Sequence, residues 1–335
     1  MPHPPPIEVC FVLLPHSLTL DWAGPAEVLR ATNAVLQGLG QPARFVLRFV
    51  GPVAAPPTSV GVSLAGLEPL PRWPQPPAPS QPATWVVLVG EPGDRLQVDT
   101  AAAQDTLHWL RGLRLAPGRL ELVTVCAGAV LAAHAGLLSG RNATTHHQHL
   151  DELQQADRSC RVQANRVFVT DGPVCSSAGV TTGIDLMLHR VSAVCGPVVA
   201  AQVAQALVVA LRRGPNDPEL SPFLCHRNHW QPAVHRVQDA ISQSPQAPWT
   251  VVRMAEVACT STRHLTRLFQ AHAGVAPLHY LNTIRLTVAQ TALHSGFSVG
   301  QAAQQAGFAS DLQLRRAWHR AAQPGTPQAA RQRHA

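Results

Sequence analysis

The chain has no lysine: all 26 of its basic residues are arginine. With so much alanine, proline and glycine around it, this absence points to a GC-rich genome rather than to a function. Cysteine is sparse and unpaired. The seven cysteines (10, 126, 160, 175, 195, 225 and 259) are odd in number, scattered, and never spaced as CxxC. That argues against a disulfide framework or a zinc site and fits reduced thiols in a cytoplasm. There is no run of 18 or more apolar residues, so no membrane span is expected. The start, Met1-Pro-His-Pro-Pro-Pro, lacks the charged region of a signal peptide. The apolar run Ile7–Leu14 that follows is short enough to be a buried strand. A cytoplasmic location is therefore expected. What is present is enough for two domains: 335 residues, 46 % of them hydrophobic.

Residues 7–212 alternate between strand and helix patterns. The continuous apolar run Ile7–Leu14 reads as a strand buried on both faces, and Arg44–Val50, Trp85–Val89 and Leu120–Val125 read as further strands. Short strands are expected at Arg166–Thr170 and Val174–Ser177. Helical periodicity marks Trp22–Leu39, with Pro25 in its first turn, and Thr100–Leu113, Ala127–Leu138, Ile184–Cys195 and Val198–Arg212. This alternation predicts a three-layer α/β sandwich with a mostly parallel sheet over residues 5–212. Pro69–Pro82 holds seven prolines in 14 residues and reads as a loop insertion. Residues 213–245 are rich in proline and read as a linker leading into one helix near Ala233–Ser242.

From residue 246 to 330 the pattern is all-α, and a nine-residue phrase occurs twice. Ser261-Thr-Arg-His-Leu-Thr-Arg-Leu-Phe269 and Ser310-Asp-Leu-Gln-Leu-Arg-Arg-Ala-Trp318 both read S-x-x-x-L-x-R-x-aromatic, 49 positions apart. Each follows a short apolar helix and a break, Met254–Thr260 in one case and Ala302–Ala309 in the other. A short helix, a turn and a Ser-capped second helix make a helix-turn-helix. Between the two units, Pro277–His294 reads as one helix, opened by proline and closed by Gly296. Its 18 residues span roughly 27 Å, close to the ~34 Å between successive major-groove faces. Charge agrees with this placement. Residues 250–335 hold nine arginines against two acids, a net of +7, and the remaining 249 residues balance at zero. A localised basic surface is what neutralising DNA phosphates requires.

These residues resemble a known family. Residues 250–330 are similar to the AraC/XylS DNA-binding domain in both phrases, in Gly274-Val-Ala-Pro277 with Tyr280-Leu and Arg285-Leu, and in Ala306-Gly-Phe308. Residues 7–212 resemble the DJ-1/PfpI-like, glutamine-amidotransferase-type domain that precedes it in GlxA-like regulators. The marks are Leu20-Asp-Trp-Ala-Gly-Pro25, Val125-Cys-Ala-Gly128, Ala135-Gly-Leu-Leu138 with Thr144-Thr-His146, Asp171-Gly172, Ser177-Ala-Gly179 and Gly183-Ile-Asp-Leu186. The chain departs from the family in places. The exit from the second unit, Ala321–Pro327, lacks the usual aromatic, and Gln304, Gln305 and Leu312 are atypical. Val89-Gly-Glu-Pro-Gly93 replaces the family's Gly-Gly, against an amidotransferase-style oxyanion hole.

Cys126 is the candidate for reactivity, because it ends an apolar strand just before a helix N-terminus, where a thiol pKa falls. The resemblance places Asp21 close to it. No histidine follows Cys126 directly; His134 and His146 are the available bases. Three roles stay open for the thiol: catalysis, a ligand-pocket or vestigial role, or an inert core residue. His146, His147 and His149 lack the i, i+4 spacing and third donor of a metal site and read as polar helix-start residues. No metal or cofactor is expected. On the recognition helices the outward positions are Thr262, Arg263, Thr266 and Arg267, then Asp311, Leu312, Arg315 and Arg316. Each arginine could pair with guanine or clamp a phosphate. Arg285, in mid-rod, is a further candidate for phosphate contact or for a structural role.

These features and the resemblance together imply a transcriptional regulator. The expected partners are double-stranded promoter DNA, RNA polymerase, a small-molecule effector and a second copy in a homodimer. The alternative is a cysteine-dependent hydrolase, amidase or glyoxalase-like enzyme that uses Cys126 and carries a DNA-binding tail.

Overall fold

A computed structural model describes residues 5–72, 83–209, 213–215, 226–227, 229–321, 323 and 325–332. Most of the proline-rich insertion, residues 73–82, and the end of the expected helix at 210–212 lie outside the described residues. The chain divides into two compact units, Met1–Glu219 and Leu220–Ala335.

In the first unit, strands β1 (Ile7–Val12), β2 (Phe45–Val50), β3 (Thr84–Leu88), β4 (Leu120–Val125), β7 (Phe168–Asp171) and β8 (Val174–Ser177) form one sheet. A two-stranded pair, β5 (Asn142–Ala143) with β6 (Arg161–Val162), stands apart from it. The sheet order is β2-β1-β3-β4-β8-β7, parallel throughout except for the β7–β8 hairpin. The apolar runs of β1 and β3 follow from this topology, since these central parallel strands are covered on both faces. On one face Val9, Phe11, Val87 and Val123 pack with α1 (Thr19–Gly38), α5 (Thr182–Cys195) and α6 (Pro197–Ala206). On the other, Cys10, Val12, Val86 and Leu122 pack with α2 (Ala101–Arg111), α3 (Gly128–His134) and α4 (Leu150–Ala156). The result is the three-layer α/β sandwich.

Three element boundaries differ by three or more residues from those expected. Helix α1 begins at Thr19 rather than Trp22, so Pro25 stands inside it. The earlier start goes with one tertiary and one local bond: Leu18 donates its amide to Gly90 O at 2.8 Å, and the Asp21 amide donates back to Leu18 O at 3.1 Å. Helix α3 stops at His134 rather than Leu138, because Gly136 turns the chain at φ 76°. Helix α6 stops at Ala206, and Val208 leaves it at φ 54°.

The second unit is all-α: α7 (Pro232–Gln243), α8 (Val251–Val257), α9 (Thr262–Ala273), α10 (Pro277–His294), α11 (Val299–Ala306), α12 (Asp311–Arg320) and α13 (Pro327–Gln332). Helix α7 was expected within a linker. Its Val234, Val237 and Ile241 are instead fully buried in the same core as Met254, Leu265, Phe269 and Tyr280. A second core gathers Leu286, Leu293, Ala302, Leu314 and Trp318. The rod α10 feeds both cores, with Tyr280 and Ile284 in the first and Leu286 and Leu293 in the second. No helix among the described residues is long and apolar enough to cross a membrane.

Candidate functional site

The first site forms where β4 meets α3. Cys126 donates its amide to Ser177 at 3.1 Å, extending the β4–β8 ladder by one rung. The chain then turns at Cys126 with φ 56°, a left-handed conformation that a side chain adopts only under constraint. Thr145 donates its hydroxyl to the Cys126 carbonyl at 2.8 Å and holds the turn from behind. Two glycines wall the thiol. A Cβ on Gly179 would lie 2.4 Å from the Cys126 Cβ, and one on Gly90 would lie 2.9 Å from the same atom. Neither position accepts a side chain without moving the elbow.

Asp21, fully buried on α1, faces this elbow. Its Oδ1 accepts the Val180 amide at 2.7 Å and its Oδ2 accepts the Gly90 amide at 3.2 Å. The Cys126 thiol donates to the same carboxyl. Burial raises the Asp21 pKa above the usual carboxylate value, and these three donors oppose the rise. The structure thus brings Asp21 and Cys126 together. It also engages the Gly90 amide with Asp21, so that amide is not an open oxyanion donor. Beside Gly90, burial pushes Glu91 up to about 7.

His146 follows Thr145 and lies in a cluster of tilted imidazoles, with ring centroids 4.1 Å from His147 and 6.2 Å from His149. Burial, then the neighbouring His147 and His149, lowers its pKa to about 4, so the ring is neutral at physiological pH. Its Nδ1 is buried without a hydrogen-bond partner. His149 is engaged separately, 2.7 Å from Glu152. Among the described residues, no group of three or more His, Cys, Asp or Glu side chains is arranged to hold a metal ion. The sequence reading missed Val180, whose backbone stands at φ 54° while its amide holds Asp21. Nothing in the residue type signals that role.

The second site is the outer face of the helical unit. Ser261 caps α9 by accepting the His264 amide at 3.2 Å, and Ser310 caps α12 by accepting the Gln313 amide at 3.2 Å. The capped turns put Leu265 and Phe269 inward on α9, and Leu314, Ala317 and Trp318 inward on α12. Thr262, Arg263, Thr266 and Arg267 are exposed on the first helix. Asp311, Leu312, Arg315 and Arg316 are exposed on the second. Arg267 also reaches back one turn, its Nη2 2.9 Å from Nδ1 of His264.

Arg285 does not join this face. It is only 9 % exposed, and its guanidinium donates to Pro245 O at 2.9 Å and to Ala247 O at 2.8 Å. Burial lowers its pKa. A guanidinium 9 % exposed that donates to two backbone carbonyls is anchored within the fold, apart from the exposed arginines of the recognition helices, which supports the structural one of its two expected roles.

Comparison with known proteins identifies both domains. Residues 254–333 match the helix-turn-helix domain family HTH_18, and residues 81–193 match the DJ-1/PfpI family. The chain is 29 % identical over 312 residues to the HTH-type transcriptional regulator CdhR of Pseudomonas aeruginosa, which covers 92 % of this chain and 87 % of that protein. It is 28 % identical over 316 residues to the HTH-type transcriptional regulator GlxA of Rhizobium meliloti, with 93 % and 92 % covered. Over 212 residues it is 26 % identical to isonitrile hydratase of Pseudomonas putida, with 63 % and 81 % covered. The class is that of a DNA-binding transcriptional regulator in which a DJ-1/PfpI domain precedes an AraC-type helix-turn-helix domain. Within that class the chain is similar to CdhR and GlxA along nearly its whole length.

Proposed function

We propose that this protein is an effector-responsive regulator of transcription that works in the cytoplasm as a homodimer. The helical unit would grip promoter DNA through Thr262, Arg263, Thr266 and Arg267 on the first recognition helix, and through Asp311, Arg315 and Arg316 on the second. The observation that carries this reading is the pair of Ser-capped helices, each with exposed arginines, joined by an 18-residue rod. Duplex DNA neutralised from one side is the partner such a surface fits. Domains of residues 5–212 and 232–330 would serve this division of labour, with α7 moved from the expected linker into the DNA-binding part.

The α/β unit would sense a small metabolite at the Cys126–Asp21 elbow. A strained turn, a buried acid and a neutral His146 make a fixed polar setting for a ligand. Ligand binding would shift the placement of the two DNA-binding units in the dimer and so alter contact with RNA polymerase. The protein would bind its effector without turning it over. Thermal denaturation across a metabolite panel tests the sensing role: a ligand should raise the midpoint of the native chain and leave Cys126→Ala unmoved. An effector that shifts both equally would place its site elsewhere.

A second reading draws support from the thiol–acid pair and from the similarity to isonitrile hydratase. Here Cys126 would act as a nucleophile beside Asp21. Turnover of an isonitrile or amide by the purified protein, abolished in Cys126→Ala, would establish that reading against the first.

A further inference from the structure

The two reading heads have separate cores. Met254, Leu265 and Phe269 belong to one, and Ala302, Leu314 and Trp318 to the other. Between them lies an open cleft of about 720 Å³, lined by Trp249, Thr250, Gly300, Phe308, Ser310 and Asp311. Packing therefore does not weld the heads together. The rod α10 joins them, and a lone helix bends.

A second connection exists. The non-helical segment 244–249, between α7 and α8, lies against both the rod and the second head. From the rod, Arg285 donates to Pro245 and Ala247, as described above. From the second head, Gly307 meets the same segment in the turn between α11 and α12. Gly307 stands at φ 79°, and a Cβ there would fall 2.5 Å from the Gln246 Cα and 3.0 Å from its carbonyl oxygen. The segment is internally braced. Ala247 donates its amide to Ser244 at 3.1 Å, and the Trp249 indole donates to the same carbonyl at 2.8 Å. Trp249 packs in the first core, with the Arg253 guanidinium 4.9 Å above its ring.

The choice of arginine is telling. Leu286 and Ile284, its neighbours on the rod, are apolar and buried. A buried cation costs desolvation that an apolar residue would avoid, and the best-attested return on such groups is register. Here the two donated bonds fix which carbonyls of the segment sit on which turn of the rod.

We infer that segment 244–249 is a clamp, closed by Arg285 and Gly307, that sets the spacing and angle at which the two recognition helices address DNA. This rests on the reading of the helical unit as a DNA-binding domain. Arg285 and Gly307 are positioning residues in that account, because neither touches the duplex. Inserting one base pair between the two subsites turns one about 35° and moves it about 3.4 Å from the other. A clamped pair of heads cannot follow that change, whereas an unclamped pair can.

The test uses the full chain and an operator selected from random duplexes, with its two subsites mapped by footprinting. Derivatives carry one, two or three base pairs inserted between the subsites. For the native protein a single insertion should weaken binding by about tenfold or more, the cost of losing one subsite. Arg285→Met removes both donated bonds without leaving a charge, and Gly307→Ala pushes Gln246 away. Both should bind the operator several-fold more weakly and lose most of the insertion penalty. Arg285→Lys keeps one donor and should fall between. A single glycine inserted after the exposed Gln246 loosens the clamp without changing either side chain and should act like Arg285→Met. Circular dichroism checks that each variant keeps its helix. Folded variants that retain the native insertion penalty would overturn the clamp, as would a native protein indifferent to spacing. If no duplex is selected by the native chain, the DNA-binding reading fails first and the clamp with it.

Discussion

Val180 donates its amide to Asp21 at 2.7 Å while its own backbone stands at φ 54°. A β-branched residue in the left-handed region is strained by roughly 1–3 kcal/mol. Cys126, which donates its thiol to the same carboxyl, carries a second such conformation at φ 56°. Two strained residues thus converge on one buried acid, and the strain holds the donors in place. Glycine at position 180 would relieve the strain and keep the amide. Val180→Gly should therefore stabilise the protein by about 1 kcal/mol, the strain less the extra chain entropy of glycine. The urea midpoint reads this directly. A fall in the midpoint would mean that the Val180 side chain, 41 % exposed, contributes packing that the backbone argument omits.

The His146 ring gives a pH signature. Its pKa is about 4 in the fold, against 6.5 for a free imidazole. Between those values unfolding takes up a proton that the native state refuses. The stability tied to the neutral ring is complete above pH 6.5 and is lost as pH falls towards 4. His146→Phe keeps a ring and removes the titration. Urea midpoints at pH 7.5 and pH 5 should show a larger acid loss for the native protein than for the variant. Equal losses would show that the His146 ring does not carry the acid sensitivity.

Helix α7 changes where the DNA-binding unit can be cut. Its Val234, Val237 and Ile241 are fully buried among the residues of the first helix-turn-helix. Exposing each would cost about 1.5–3 kcal/mol, and together they rival the whole stability of a small domain. A fragment of residues 220–335 should therefore fold and bind DNA, with affinity that falls steeply with salt through counterion release. A fragment of residues 245–335 should be largely unfolded at 37 °C by circular dichroism. Equal helicity in the two fragments would show that α7 is dispensable.

What was legible in the sequence follows a physical line. Features fixed by local chemistry could be read: Ser261 and Ser310 as caps, Pro277 opening the rod, and apolar runs as strands covered on both faces. The exposed arginines on α9 and α12 followed from the 3.6-residue period alone. Features set by contacts distant in sequence could not. Helix α1 starts early because Gly90, some 70 residues on, accepts the Leu18 amide. Helix α7 was expected as a helix but assigned to the linker because prolines surround it, yet its valines belong to the core of Met254, Leu265 and Tyr280. Arg285 looked like one more basic residue in a basic domain until its partners, about 40 residues earlier, were in place. The proximity of Asp21 to Cys126 came from resemblance; no spacing could have supplied it.

The two reading heads should fail differently when their arginines are removed. Arg267 lies on the second turn of α9, exposed, with His264 against its guanidinium. That contact limits its rotamers before DNA arrives, which suits a fork that must meet guanine O6 and N7 together. Arg316 is exposed on α12, a helix whose outward Leu312 offers no hydrogen bond to a base edge. It is better placed to hold the phosphate backbone than to discriminate. Arg267→Ala should cost about 1–3 kcal/mol on the operator and relax preference at one base step, as loss of a bidentate contact does. Arg316→Ala should weaken operator and random DNA alike and lower the salt slope by about one. Paired isotherms on specific and random duplexes at fixed salt decide the matter. If Arg316→Ala abolishes discrimination and Arg267→Ala spares it, the second head is the reader and the roles assigned here are reversed.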